Sequence, residues 1–93
     1  KQKNMVEPKE LIQKKEVVQQ NKALVIYNDD VNTFEFVIES LIKVCKHEPI
    51  QAEQCTWLIH HKGNCTVKVG DFKELKPMCE ALLDRGISAQ IKD

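Results

Sequence analysis

Three consecutive polar residues, Asn28, Asp29 and Asp30, follow an apolar run from Ala23 to Tyr27. An amide and two carboxylates beside an apolar core are hydrogen-bond acceptors, and acceptors so placed attract a cation. His60 is a further acceptor while its ring is neutral. It lies four residues after Thr56, a spacing that puts both on one face of a helix. The chemistry the turn could do is attraction of a cation. The alternative for Asn28–Asp30 is a solvated turn that caps a helix, and pattern alone favours that simpler reading.

The elements that must position these groups can be read in order. Ala23 to Tyr27 reads as a strand covered on at least one face. A first helix is expected from about Thr33 to Lys46. Asn32 is its expected N-cap, with Glu35 three residues on as a capping box requires. Phe34, Val37, Ile38, Leu41, Ile42 and Cys45 form its apolar face. Pro49 suits the first turn of a second helix, expected to reach His61 and to stop before Gly63. Its inner face would be Ala52, Cys55 and Ile59, with Leu58 beside them. Cys65, Val67 and Val69 alternate with polar residues as a half-buried strand. After Gly70, Asp71 and Glu74 repeat the capping pattern before a third helix lined by Phe72, Leu75, Met78, Cys79, Leu82 and Leu83. Pro77 lies beyond the first turn and should kink that helix or shorten its start. Gly86 follows as a C-terminal stop, and Ile87, Ala89 and Ile91 alternate as a third strand. The order β-α-α-β-α-β predicts an α+β fold. Its architecture is a two-layer sandwich, with a three-stranded antiparallel sheet packed against three helices.

The 93 residues allow one domain. Fourteen Lys and Arg balance fourteen Asp and Glu, so the total indicates no polyanion-binding surface. The charge is uneven, because residues 1–22 carry six Lys and three Glu. This stretch is expected to be a flexible N-terminal extension, with a transient helix around Lys9 to Gln20, and residues 23–93 the core domain. No apolar run approaches the ~20 residues of a membrane span. No secretory signal is visible, and the chain opens on Lys1. Cys45, Cys55, Cys65 and Cys79 form no C-x-x-C pair. Three of them fall on expected apolar faces, so reduced core thiols and a cytoplasmic address are expected.

An apolar strand, Asn28-Asp29-Asp30, Phe34-Glu35-Phe36-Val37-Ile38, and then His60 and Gly63 together resemble the ClpS family over about Leu24 to Ile91. The resemblance implies a non-enzymatic adaptor that carries N-degron substrates to a Clp-type AAA+ unfoldase and contacts the unfoldase's N-terminal domain. It implies a fold similar to that of the C-terminal domain of the ribosomal stalk protein. It implies that Asn28, Asp29 and His60 contact the substrate amino group, while Asp30 and Asn32 orient the turn or meet the peptide backbone. By motif position the walls of the side-chain pocket would be Phe34, Val37, Thr56, Ile59 and Ile87. Phe34 and Thr56 stand where many members have Met. Phe34 is then a stiffer gate against Ile and Val, and Thr56 enlarges one wall and adds a hydroxyl. Leu, Phe, Tyr and Trp are the expected first residues. The resemblance also implies an N-terminal extension that the unfoldase engages during delivery. Lys76 is a candidate for the docking face. The expected protein is a monomer with no cofactor or metal, and with neither nucleic acid nor membrane as a partner.

A free amino terminus is an ammonium with an ordinary pKa of ~7.7–8.0. A blocked or internal amide offers fewer donors and leaves acceptors unpaired. One buried Leu or Phe side chain is worth ~1.5–3 kcal/mol. A charge-assisted hydrogen bond adds ~1.5–3 kcal/mol. One side-chain pocket and one ammonium nest of several such bonds bracket micromolar affinity, ~8 kcal/mol, which suits a carrier that must let go. Two rival classes stand beside this reading. A Cys–His hydrolase needs a thiolate beside a base. Cys55 lies five residues from His60, in poorly matched directions on a helix. A metal site of Cys65, His60 and Asp29 exists on paper only. A ribosome- or nucleic-acid-associated module is suggested by fold analogy and the basic extension, but lacks an aromatic and basic surface outside it. Among the remaining side chains, His47 is expected at the surface, His61 partly exposed, and Trp57 as a packing or rim residue.

Overall fold

The computed structural model describes residues 21–93. The expected extension lies outside the described residues, except for its last two positions. The elements follow in the order β1 (Lys22–Tyr27), α1 (Phe34–Cys45), α2 (Pro49–Lys62), β2 (Asn64–Gly70), α3 (Phe72–Asp84) and β3 (Ala89–Lys92). The two-layer α+β sandwich expected from the sequence is therefore what forms. β1 is the central strand of an antiparallel sheet ordered β2-β1-β3. It starts one residue before the expected Ala23, because Lys22 pairs with Gly70. A bulge lies between Leu24 and Val25.

The core forms where the helical faces meet the sheet. Leu24 and Ile26 of β1 cluster with Leu41, Cys45, Ala52, Ile59, Val67, Leu75 and Leu82. Leu58, expected beside the inner face of α2, points outward, and buried Thr56 takes a place there instead. Ile87 is 2% exposed and packs in the core just before β3 begins. All four cysteines are free thiols, Cys45 and Cys79 buried.

Three local expectations change. The N-cap of α1 is Thr33, not Asn32, and the Thr33 hydroxyl accepts from the Phe36 N–H at 3.1 Å. Both residue types cap well, and Asn32 is drawn elsewhere by stronger partners. Second, α3 runs from Phe72 through Pro77 to Asp84 with no shortened start. The Asp71 carboxylate accepts from the Glu74 N–H at 2.8 Å and fixes that start upstream of the proline. Third, His47 is buried rather than at the surface. Lys46 takes the left-handed conformation at the end of α1 (φ 62°). The chain turns there, and His47 Nε2–H donates to the Val67 carbonyl of β2 at 2.7 Å. That bond fixes the tautomer, and Nδ1 is left buried without a partner among the described residues.

Among the described residues no helix is long and apolar enough to cross a membrane.

Candidate functional site

The turn after β1 is pinned from two sides. The Asn28 N–H donates to the Gly63 carbonyl at 2.9 Å, and the Tyr27 N–H to the Ser88 carbonyl at 2.9 Å. Gly63 ends α2 with φ 97°, a conformation that favours glycine. The last turn of α2, which carries His60, is thereby fastened to the start of the Asn28–Asp30 turn.

Inside the turn Asp29 is the organiser. Its Oδ1 accepts from the Val31 N–H at 3.0 Å, the Asn32 N–H at 3.0 Å and the Asn32 side-chain amide at 3.1 Å. Its Oδ2 accepts from the same amide at 2.9 Å. Burial pushes the Asp29 carboxyl up. The hydrogen bonds from Asn32 and Val31 outweigh it and hold the group below the ordinary value. Oδ1 is crowded with donors, so Oδ2 is the oxygen with room for a guest.

Asn32 does more than brace Asp29. Its amide also donates to the Gly86 carbonyl at 2.9 Å, which ties the turn to the loop before β3. That loop is held in turn by Arg85. Its Nε donates to the Ser40 hydroxyl at 2.8 Å, and its guanidinium lies 5.0 Å from the centre of the Phe36 ring. Ser40 passes the contact on, donating to the Phe36 carbonyl at 2.8 Å. Asn32 thus braces the turn against Asp29 and Gly86, and the expected capping role belongs to Thr33.

Between this turn, the start of α1 and the face of α2 lies a cavity of ≈ 390 Å³. That is near the small end of the ~300–1,000 Å³ of ligand sites. Its polar side is Asn28, Asp29, Asp30, Asn32, Thr33 and His60, and its apolar side is Phe34, Val37, Thr56 and Ile59. Nine of the ten sequence-derived recognition residues therefore meet in one place. The tenth, Ile87, is a core residue and is not among the lining side chains. Thr33 was missed. The signal was present, since Thr33 is as good a cap as Asn32 and its position fixes where α1 begins. Lys76 lies away from the cavity, exposed on α3 and 3.4 Å from Glu80.

The rims of the cavity are aromatic. Phe34, 37% exposed, meets the His60 ring edge to face, with centroids 6.4 Å apart. His61 stacks on Trp57 at 3.9 Å, and its Nδ1–H donates to the Trp57 carbonyl at 3.0 Å. His61 is thus committed to α2. Among the described residues the ring of His60 has no hydrogen-bond partner. Thr56 is 3% exposed and donates its hydroxyl to the Ala52 carbonyl at 2.7 Å. The donor is spent within the helix, so Thr56 adds room and a methyl group to the cavity more than polarity.

Three of the four thiols run against a nucleophile. Burial pushes Cys45 up to about 11. Burial, then the neighbouring Cys65 thiol, pushes Cys55 up, and burial does the same for Cys79. A reactive cysteine needs the opposite shift. Among the described residues no three His, Cys, Asp or Glu side chains are grouped to hold a metal ion, so Cys65, His60 and Asp29 form no such centre.

The family model for the ATP-dependent Clp protease adaptor protein ClpS matches residues 9–90. The ATP-dependent Clp protease adapter protein ClpS of Nitratidesulfovibrio vulgaris (strain DSM 19637 / Miyazaki F) is 34% identical over 55 residues, covering 57% of this chain. The match spans 55% of that relative, about half its length. Agrobacterium tumefaciens ClpS2, solved bound to L-phenylalaninamide, has the same fold, with a TM-score of 0.72. The likeness covers 78% of this chain and 95% of that one at 19% identity. With its family match running from before β1 into β3, the chain belongs to the ClpS family of Clp protease adaptors.

Proposed function

We propose that the chain is a monomeric, non-enzymatic, cytoplasmic adaptor. It holds a peptide by its free first residue and hands it to a Clp-type AAA+ unfoldase. One observation carries the reading: a single cavity is lined both by the acceptors Asn28, Asp29 and His60 and by Phe34, Val37, Thr56 and Ile59. A guest that fills it has a donor-rich cation at one end and an apolar group at the other. The ligand of the solved relative, L-phenylalaninamide, has that make-up, a free α-amine beside a benzyl group. Asp30 and Asn32 then serve the turn and the peptide backbone.

Specificity is proposed to lie in the apolar half. Phe34 is a rigid ring at the rim, edge-on to His60, and a β-branched side chain carries its bulk where that ring stands. Peptides starting in Leu, Phe, Tyr or Trp are expected to bind about tenfold tighter than those starting in Ile or Val. Calorimetry with otherwise identical peptides measures this. Ile as good a guest as Leu would take Phe34 out of the role of gate.

Delivery is proposed to use the basic N-terminal extension, residues 1–22, while a separate face that includes Lys76 docks on the N-terminal domain of the unfoldase. A chain lacking residues 1–20 is expected to bind a Leu-starting peptide within about twofold of the full chain, since the recognition residues among the described lining of the cavity all lie later. Collapse of peptide binding on this deletion would make the extension part of the recognition domain.

A further inference from the structure

Beside the first cavity lies a second hollow, ≈ 300 Å³, lined by Phe34, Glu53, Gln54 and Trp57. Phe34 is a wall of both hollows, so the second continues the first across one ring. On α2 the two are neighbours as well. Glu53 and Trp57 lie four residues apart on one face of the helix, beside Thr56. Trp57 is 49% exposed, and its stacking on His61 at 3.9 Å orients the ring in advance. Glu53 takes part in no ion pair among the described residues.

We infer that Phe34, Glu53 and Trp57 form a second subsite for the bound peptide, and that it takes a basic side chain, arginine above all, from the peptide's third residue. The inference rests on the reading of the first cavity as the seat of the first residue. In an extended peptide the first and third side chains point the same way. They are ~6.6–7.2 Å apart, somewhat more than the ~5.4 Å of one turn of α2, so the third side chain reaches past the first turn beyond the cavity. A guanidinium is the side chain that uses both walls, because it lies flat on an aromatic face while its N–H groups reach a carboxylate. The ring is already placed, so little freedom is lost on binding.

The test uses three peptides that begin Leu-Ala, with Arg, Ala or Asp third, and acetylated copies of each. Affinities come from calorimetry. Fluorescence supplies a second readout, since Trp57 is the chain's one tryptophan. The Arg peptide is expected to bind about fivefold tighter than the Ala peptide, the worth of a cation–π contact and a rim ion pair. The Asp peptide is expected to be the weakest, and the Arg peptide alone to change Trp57 emission strongly. Glu53→Arg should invert the order while leaving the Ala peptide's affinity unchanged. Trp57→Ala should cut the Arg advantage and spare the Ala peptide. A preference for Arg that survives Glu53→Arg would belong to the field of Asp29 and Asp30, and it would overturn the subsite. Equal affinities for all three peptides would overturn it too, and would leave the hollow to another occupant. Failure of the first-residue reading is separable, because it shows as acetylated and free peptides binding alike.

Discussion

Acetylating the first residue of a Leu-starting peptide is expected to weaken its binding about a hundredfold, ~2.7 kcal/mol at 25 °C. The modification removes a positive charge and two of three N–H donors and leaves the side chain untouched. The apolar walls Val37, Thr56 and Ile59 therefore grip as before, and the whole loss falls on the polar side of the cavity. An acceptor that gives up water and gains no donor costs ~1–3 kcal/mol. Asn28 and His60 are exposed and recover water in part, which keeps the penalty from growing larger. Raising the pH gives the same loss by another route. A free amine with the ordinary α-amino pKa of ~7.7–8.0 loses its charge between pH 7 and 9.5, and the unmodified peptide should drift toward the acetylated one. Asp29 is held below the ordinary carboxyl value, so it is ionised throughout that window, and the alkaline decline belongs to the peptide. Calorimetry at pH 7 with the capped and uncapped peptides decides the matter, and equal affinities would remove the ammonium from the account.

Periodicity makes the elements of this site legible, and the resemblance to the family motif supplies which of their residues meet. Thr56 and His60 share a face on any helix, and the motif adds Ile59 beside them. The strand-turn-helix around Asn28–Asp30 is legible for the same reason, an apolar run that stops at polar residues. What escaped depended on contacts distant in sequence. Asn32 reads as a cap until the Gly86 carbonyl, 54 residues away, offers its amide a better partner. His47 reads as a surface residue because its neighbours Lys46 and Glu48 are charged. Its burial is set by a left-handed Lys46 and by the Val67 carbonyl of another element. Pro77 reads as a helix breaker because it removes a donor, yet α3 runs through it. Ile87 has the alternation of a strand residue. Its place is in the core beneath the loop instead, because its N–H is already taken by the Leu82 carbonyl at 3.0 Å.

Asp29→Ala should lower the affinity for a Leu-starting peptide about 10- to 100-fold, and the structure says why one substitution must be read beside another. Two things are lost at once. One is the carboxylate proposed to meet the guest, worth ~1.5–3 kcal/mol as a partner for an ammonium. The other is the acceptor for Val31 N–H, Asn32 N–H and the Asn32 amide, which together shape the turn. Asn32→Ala separates the two. It removes the amide bonds to Asp29 and to Gly86 and loosens the turn, but it leaves the charge in place. A loss of about three- to fivefold is expected for Asn32→Ala, with urea midpoints of the two variants close to each other. Stability against pH gives a check that does not involve a ligand. The Asp29 carboxyl is lowered in the folded chain, so its contribution is present above the ordinary carboxyl value and is lost as pH falls through the folded one. The wild-type chain should therefore lose stability across that acid range, and Asp29→Ala should lose less. If Asp29→Ala and Asn32→Ala weaken peptide binding equally, Asp29 acts only as the brace of the turn, and the charge that meets the ammonium must come from Asp30.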